Sequence, residues 1–166
     1  MAEFSVNTKR FDPYRSFLFQ VVMDGKTVAG VSKVGALSRT TEVVSHRPGN
    51  AISHQYHSPG LTTHEPIVLE RGVTFDATFQ DWANEVYSPE GLGGVSLKNF
   101  RKDILVTLMN LQGVPVRSYK VYRCWPSAYV ALPELSSNDN AVAIQSLTLQ
   151  NEGWELDEAV VETAEF

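Results

Sequence analysis

Two segments of the chain are apolar at nearly every position, and this pattern constrains the fold more than any other feature of the sequence. From Ile104 to Leu111 apolar side chains occupy both alternating sets of positions, and the same holds from Phe17 to Met23. Because successive side chains of a strand point to opposite faces, such strands need cover on both sides. The pattern therefore predicts either a β-sandwich whose sheets face each other or cover supplied by other subunits.

Runs rich in Val, Ile, Phe and Tyr recur along the chain between turn residues, which predicts a mainly β fold. Asp24-Gly25 readily takes the positive φ angles of a tight turn and predicts a hairpin between 17–23 and 27–34. A second hairpin is predicted across Gln112-Gly113. The predicted strands outside the first hairpin cover residues 37–44, 66–71, 104–111, 114–122 and 142–150.

The last of these strands changes phase along its length. Val142 and Ile144 share one parity, whereas Leu147 and Leu149 share the other. A strand with one buried face keeps a single parity, because its side chains alternate with a period of two. The change predicts a bulge near residues 145–146 or burial on both faces there.

One segment, residues 73–87, has helical rather than strand periodicity. Thr74 is placed to cap its first amides, and Ser88-Pro89 is placed to end it. The predicted helix is amphipathic, and the apolar side chains expected to pack on the sheet are Phe75, Phe79, Trp82 and Val86.

Composition limits the classes of function. The chain has 166 residues, 43% apolar and 20% charged, which suits one folded domain, residues 1–166. Acidic residues without any Lys or Arg form a tail over residues 152–166, and no cluster of bases suggests nucleic-acid binding. No apolar run suits a membrane span or a signal peptide, so we expect synthesis in the cytoplasm and no membrane insertion.

Residues 45–65 contain breakers and no helical period, which predicts a long loop used for interaction. All four histidines of the chain lie in it: His46, His54, His57 and His64. A shared metal would require the backbone to aim two rings at one point. Polar loop residues at an interface or in solvent are the preferred interpretation, and a metal hydrolase is the alternative.

No other pattern predicts catalysis. Cys124 has no partner cysteine and is expected to fill the core. Gly91-Leu92-Gly93-Gly94 lacks the Lys-Ser/Thr of a phosphate loop and is expected to be a connector. We therefore expect neither an enzyme nor a bound cofactor.

Three blocks resemble the tail tube proteins of contractile phages and their relatives. They are DPYRSFLFQVVMDGKTVAGVSKVGAL at residues 12–37, IVLERGVTFDATFQDW at 67–82, and RCWPSAYVALPELSSNDNAVAIQSLTLQNEGWE at 123–155. The last block, with LPEL and NEGWE, is most similar to extracellular contractile injection systems of the antifeeding-prophage and virulence-cassette type.

The resemblance implies two packed antiparallel sheets with one flanking helix, a fold shared with type VI secretion tube proteins. It further implies that six subunits form a ring whose sheets join into a barrel around a channel. Such rings stack inside a contractile sheath, between a baseplate with its spike and a cap, and the channel can hold protein cargo. The particle would be released or act outside the cell.

The resemblance also places the contacts between subunits in the N-terminal stretch and the 45–65 segment. The expected interface residues are Phe11, Tyr14, Arg15, Arg47, Asn50, Ile52, His54, Tyr56, His57 and Leu61. A tail tube of a phage virion and a monomeric ligand-binding sandwich remain alternatives.

Overall fold

Over residues 4–91, 93 and 95–166, which the computed structural model describes, the chain forms ten strands and one helix. In chain order they are β1 (Phe19–Met23), β2 (Lys26–Thr27), β3 (Val31–Val34), β4 (Arg39–His46), β5 (Tyr56–His64), β6 (Ile67–Gly72), α1 (Thr78–Val86), β7 (Lys102–Met109), β8 (Pro115–Val130), β9 (Ile144–Gln150) and β10 (Trp154–Leu156).

The main sheet system has two halves, one formed by β1, β2, β7 and β10 and the other by β3, β6 and β9. The long strand β8 belongs to both. Its first part pairs with β7 and with β10, and its second part pairs with β9. The strand order is β2-β1-β7-β8-β9-β6-β3, and all of these pairings are antiparallel. The predicted mainly β fold with antiparallel sheets and a flanking helix is confirmed, although the sheets do not close into a barrel within one subunit.

The core lies where the two halves face each other beneath the helix. Val21, Ile104 and Val121 contribute from one half, and Ile67 and Leu147 contribute from the other. Cys124 is also fully buried, as predicted, and burial together with the nearby Asp103 carboxylate raises the pKa of its thiol to about 12. The facing halves explain much of the cover that the two-faced apolar strands need.

The first predicted hairpin is correct at its turn but not over its full length. Asp24 and Gly25 have φ of 51° and 74°, and Met23 pairs with Lys26 across them. The second strand, however, ends at Thr27. Gly30, with φ of 74°, turns the chain away, so that β3 pairs with β6 in the other half of the sheet system.

The prediction of a long loop over residues 45–65 is wrong. Residues 39–64 form a two-stranded ribbon, in which β4 pairs with β5 from Arg39↔His64 to His46↔Tyr56. The register shifts between Thr41 and Val43, where Gly60 and Leu61 of β5 lie opposite the single residue Glu42 of β4. Strand β4 agrees in large part with the predicted strand 37–44, whereas β5, with both faces exposed, has no apolar alternation that would predict it.

The helix begins later than predicted, at Thr78 rather than Val73. Thr74 does not cap it, since the Thr74 hydroxyl accepts from the amide of Asp76, and Asp76 in turn accepts from the amide of Thr78 at 3.0 Å. Phe79 and Trp82 are buried as predicted, and Val86 is half-buried. Phe75 precedes the helix and is 109% exposed, so it does not belong to the packing face.

Strand β9 is regular, so the predicted bulge near Gln145 and Ser146 is wrong, whereas the alternative, burial on both faces, agrees with a strand in which no residue is exposed. Its pairing with β6 runs without a shift from Ile67↔Leu149 to Gly72↔Ile144. The irregularity lies in the partner strand β8, between Pro126 and Ala128. The fully buried face of β9 carries Gln145, Leu147 and Leu149. Val142 lies before the strand and is exposed, so the strand itself keeps one buried set of alternating positions.

Two further predictions concern connecting segments. The acidic segment 152–166 is not a simple tail, because β10 (Trp154–Leu156) pairs with β8. The expected connector 91–94 lies partly outside the described residues. Among the residues that are described, no helix has the length and apolar character to cross a membrane.

Candidate assembly surfaces

The ribbon, residues 39–64, is exposed on both faces in the described part of the chain, apart from its base. Every residue of β4 is exposed, and in β5 only Gly60 and His64 are half-buried. The exposed apolar side chains of the ribbon include Val43, Val44, Ile52, Tyr56 and Leu61. An isolated two-stranded hairpin is at best marginally stable in water, and exposed apolar side chains grouped in this way are typical of a surface that contacts another molecule.

The histidines of the ribbon make local contacts. His46 stacks on Tyr56 with ring centroids 5.6 Å apart, and His54 meets the same ring edge-on at 4.9 Å. His57 Nδ1 lies 2.9 Å from the Ser45 hydroxyl on the opposite strand. The described part of the chain contains no group of three or more side chains arranged to hold a metal ion. These contacts order the ribbon tip.

The ribbon joins the body beside the start of β10. The Arg39 guanidinium lies 5.6 Å from the centroid of the Trp154 ring, and the His64 ring meets Trp154 edge-on at 6.4 Å. Asn151 Nδ2 donates to the Glu65 carbonyl at 3.0 Å. These contacts hold only the base of the ribbon.

The two ends of the chain hold each other through one carboxylate. Glu162 accepts from the backbone amides of Ser5, Val6 and Asn7 at 2.8, 3.1 and 2.9 Å, and also from the side chains of Ser5 and Asn7. Burial acts to raise its pKa, but these hydrogen bonds outweigh that effect and lower the pKa of Glu162 to about 2. We call this contact, made by residues 5–10 and 162–165, the terminal clasp.

Arg10 extends the terminal clasp. It pairs with Glu165, and its guanidinium lies 5.2 Å from the Phe4 ring centroid and 4.6 Å from that of Tyr14. Tyr14 is half-buried here, and burial raises its pKa. Of the predicted N-terminal interface residues, Tyr14 thus packs within its own chain, whereas Phe11 is 86% exposed.

A groove of about 790 Å³ lies beside the terminal clasp. We call it the terminal groove. Its apolar lining includes Phe11, Phe17, Leu18, Met109 and Leu111, and its charged lining consists of Lys9, Arg10, Asp12, Arg15 and Glu165. Four of the apolar lining side chains, Val6, Phe11, Phe17 and Leu111, are exposed.

The main sheet system ends in two edges. On one side the order ends at the two-residue strand β2, which pairs with β1 at Val22 and Met23, and the Val28 amide after β2 donates to the Val21 carbonyl. On the other side the order ends at β3. Open edges present unpaired backbone groups that favour pairing with another chain.

The structure therefore divides the predicted interface residues into two separate sets. Phe11 and Arg15 line the terminal groove. Tyr14 packs within its own chain, and the other predicted residues lie in the ribbon, with Leu61 toward its base and the rest at or near its tip: Arg47, Asn50, Ile52, His54, Tyr56 and His57. Sequence reasoning missed Leu111 and the Glu162 contact, since nothing in the sequence indicates that the chain ends meet.

One family of known proteins matches most of the chain. The family described as T4-like virus tail tube protein gp19 matches residues 15–155. The chain belongs to this family of tail tube proteins. It is a structural protein of the tube class, and the resemblance found in the sequence is confirmed.

Solved structures share the fold of this tail tube protein. A chain from the anti-feeding prophage baseplate, six-fold symmetrised, has 21% identity and a TM-score of 0.72, with 89% of this chain and 97% of that chain covered. A chain of the PVC sheath-tube complex, from an extracellular contractile injection system in the extended state, has 22% identity and a TM-score of 0.72, covering 87% and 91%.

A more distant structure, Hcp1 from Flavobacterium johnsoniae, has 12% identity and a TM-score of 0.50, with 84% of this chain and 94% of that chain covered. At these identities the likeness concerns the fold. No curated protein matches this tail tube protein significantly.

Proposed function

We propose that this chain is the subunit of the rigid inner tube of a contractile injection system. Six subunits form a ring, rings stack into a hollow tube, and contraction of a surrounding sheath drives the tube outward. The main observation behind the proposal is the ribbon, whose two faces are exposed in the described part of one subunit. Because the chain belongs to a tail tube family, neighbouring subunits are the molecules that would cover it.

Ring formation follows from the open edges of the main sheet system. A sheet with free edges at β2 and β3 can continue into the sheets of its neighbours, and closing the circle removes every edge. A head-to-tail contact of this kind makes a closed ring when the rotation between neighbouring subunits is a whole fraction of a full turn. The six-fold symmetrisation of the anti-feeding prophage baseplate structure supports six copies.

Stacking follows from the ribbon. Burial of apolar side chains of the ribbon stabilises a contact by about 25 cal/mol for each Å² removed from water. Several such side chains together can therefore hold adjacent rings. The ribbon residues proposed for this contact are Arg47, Asn50, Ile52, His54, Tyr56, His57 and Leu61. The subunit acts by keeping its shape, and we infer that it carries out no catalysis.

The partners are proposed from the assemblies in which similar folds were solved. Those structures are described as a baseplate, a sheath-tube complex and a tube-terminating cap. We propose that this chain likewise contacts a sheath protein, a baseplate with its spike and a cap, and that its channel can carry protein cargo. The family description also fits a phage virion tail, which capsid and terminase genes beside this one would indicate.

Replacing residues 43–60 with a short Gly-Ser turn tests the proposal. The pairs from Arg39↔His64 to Thr41↔Thr62 remain, so the base of the ribbon is kept. We expect the unfolding midpoint to stay unchanged, because the removed residues are outside the core, while electron microscopy shows short tubes or none. Full-length tubes from the shortened protein, or its failure to fold, would contradict the proposed role of the ribbon.

A further inference from the structure

Residues 4–17 form a segment that lies outside the hydrophobic core. They contain no strand or helix, and β1 begins only at Phe19. Phe4 is buried, but it packs against Tyr14 and Arg10 of its own segment and does not belong to the core cluster. We call this segment the N-terminal strap. The core therefore does not fix its position, and other contacts must hold it.

Hydrogen bonds attach the strap to the subunit at one place. In the described part of the chain, every hydrogen bond between residues 4–17 and the rest of the subunit goes to residues 162–165. Asn7 Nδ2 donates to the Thr163 carbonyl at 2.9 Å, and Asn7 Oδ1 accepts from the Glu165 amide at 2.8 Å. The terminal clasp is therefore the polar attachment of the strap.

The segment that holds the strap is itself fixed to the sheets on both sides of Glu162. Before Glu162, the Asp157 amide donates to the Ser118 carbonyl of β8 at 2.8 Å. After it, the Gln112 side chain in the β7–β8 turn donates to the Phe166 carbonyl. The strap is thus attached to the body through an anchored segment with Glu162 between its two anchors.

Glu162 is suited to this role because its carboxylate accepts all five of its hydrogen bonds. One oxygen accepts from the amides of Ser5 and Val6 at 2.8 and 3.1 Å and from the Ser5 hydroxyl. The other oxygen accepts from the amide and the side chain of Asn7 at 2.9 and 3.0 Å. Hydrogen bonds to a charged acceptor are about twice as strong as neutral ones. A glutamine at this position would place its own NH₂ group against at least one backbone amide in either orientation.

The strap supplies most of the lining of the terminal groove. Phe11, Arg15 and Phe17 lie on the strap, whereas Met109 and Leu111 lie on the body. The groove therefore exists only while the strap is held in this position. Phe11 and Arg15 are also two of the residues predicted to contact a neighbouring subunit, so the position of the strap bears on assembly.

We propose that the terminal clasp controls whether the N-terminal strap lies on the body, with Glu162 as the positioning residue. When the clasp is closed, the strap completes the terminal groove and presents Phe11 and Arg15. When it is open, the strap leaves the body while the sheets stay folded, as is typical of segments with few buried apolar contacts. Only the closed subunit assembles efficiently. This inference rests on the proposed function and adds to it a conformational requirement for assembly.

Hydrogen exchange in two variants, which open the clasp from opposite sides, tests the inference. Glu162→Gln places a donor among the amides of residues 5–7, and Asn7→Ala removes the side chain that bonds to residues 162, 163 and 165. Glu158→Gln is the matched control, because Glu158 is exposed and makes no hydrogen bond or ion pair with its side chain in the part of the chain that is described. In both clasp variants we expect the amides of residues 5–7 to exchange at least about tenfold faster than in the parent and the control. Strands β7 and β9 should stay protected in the same short labelling pulse.

Electron microscopy of the same proteins tests the consequence for assembly. A subunit whose competent form is populated about one-tenth of the time needs about tenfold more protein for the same degree of assembly. We therefore expect both clasp variants to form tubes only above a protein concentration about tenfold higher than that needed by the parent and by Glu158→Gln.

Unchanged exchange at residues 5–7 in both clasp variants would overturn the control of the strap by the clasp. Faster exchange with tubes at the parental concentration would overturn the requirement for assembly. A parent chain that forms no tubes would instead contradict the proposed function, and the requirement for assembly with it, whereas the exchange result decides separately whether the clasp holds the strap.

Discussion

Arg71 Nη1 donates to Asp76 Oδ2 at 3.0 Å, although the Arg71 side chain is only 1% exposed. The guanidinium also donates to the Asp76 carbonyl at 2.7 Å and lies 4.2 Å from the Phe79 ring centroid. With the Gln145 amide oriented to satisfy its neighbours, its oxygen accepts from Arg71 Nε at 2.7 Å. The buried charge thus connects the end of β6 with the start of the helix.

Asp76→Ala should destabilise the protein by about 1–3 kcal/mol, because it leaves the buried guanidinium without its carboxylate. Hydrogen bonds from Thr78 and Arg71 lower the pKa of Asp76, which shows that its charged form is the one stabilised. Urea unfolding measures the change. Asp81→Ala, an exposed carboxylate in the first helical turn, is the control and should cost less than about 1 kcal/mol. Equal losses for the two variants would contradict the prediction.

Trp82→Ala should cost about 3–5 kcal/mol, because a large buried side chain is removed from beneath the helix. Trp82 is 1% exposed, and its Nε1 donates to the Phe100 carbonyl at 2.7 Å. Phe75→Ala is the matched aromatic control and should change stability by no more than about 0.5 kcal/mol. Thermal unfolding of both variants distinguishes a packing helix face from an exposed one.

Gly35→Ala should destabilise the subunit by about 1–3 kcal/mol through overpacking. An added Cβ would lie 2.9 Å from the backbone nitrogen of Val68, so β3 and β6 would have to separate. Gly49→Ala is the control, since a Cβ there meets no atom within 4 Å. If both variants unfolded at the same denaturant concentration as the parent, the prediction that a Cβ at residue 35 overpacks against β6 would be wrong.

The terminal clasp should make stability depend on pH. The pKa of Glu162 falls from 4.5 to about 2 on folding, so its contribution is present above about pH 4.5 and is lost as the pH falls toward 2. Glu162→Gln should therefore flatten the stability curve between those values. Denaturant unfolding at a series of pH values compares the two slopes, and identical slopes would show that Glu162 does not titrate differently in the folded chain.

The sequence predicts the strands and the helix whose apolar residues recur with the period of that element on a buried face. The Asp24-Gly25 turn, the pairing of β7 with β8 and the buried Phe79 and Trp82 all follow from local pattern and turn chemistry. The resemblance adds the sheet arrangement and the tube family, which local pattern alone does not provide.

The second strand of the ribbon, β5, and the buried Arg71 could not be predicted in the same way. A strand exposed on both faces carries no periodic apolar signal, so β5 resembles a loop in sequence. A guanidinium is rarely buried without partners, and the partners of Arg71, Asp76 and Gln145, meet it only in the fold. The terminal clasp has no local sequence signal, because it joins residues 5–10 to 162–165.

Cryo-electron microscopy of the purified protein at high concentration tests the central proposal most directly. Assembly from this chain alone should give hollow rings of six subunits, stacked so that the ribbon of each subunit contacts the next ring. The sheets of neighbouring subunits should join edge to edge around the channel. A protein that stays monomeric at every concentration, or rings in which the ribbon remains uncovered, would contradict it.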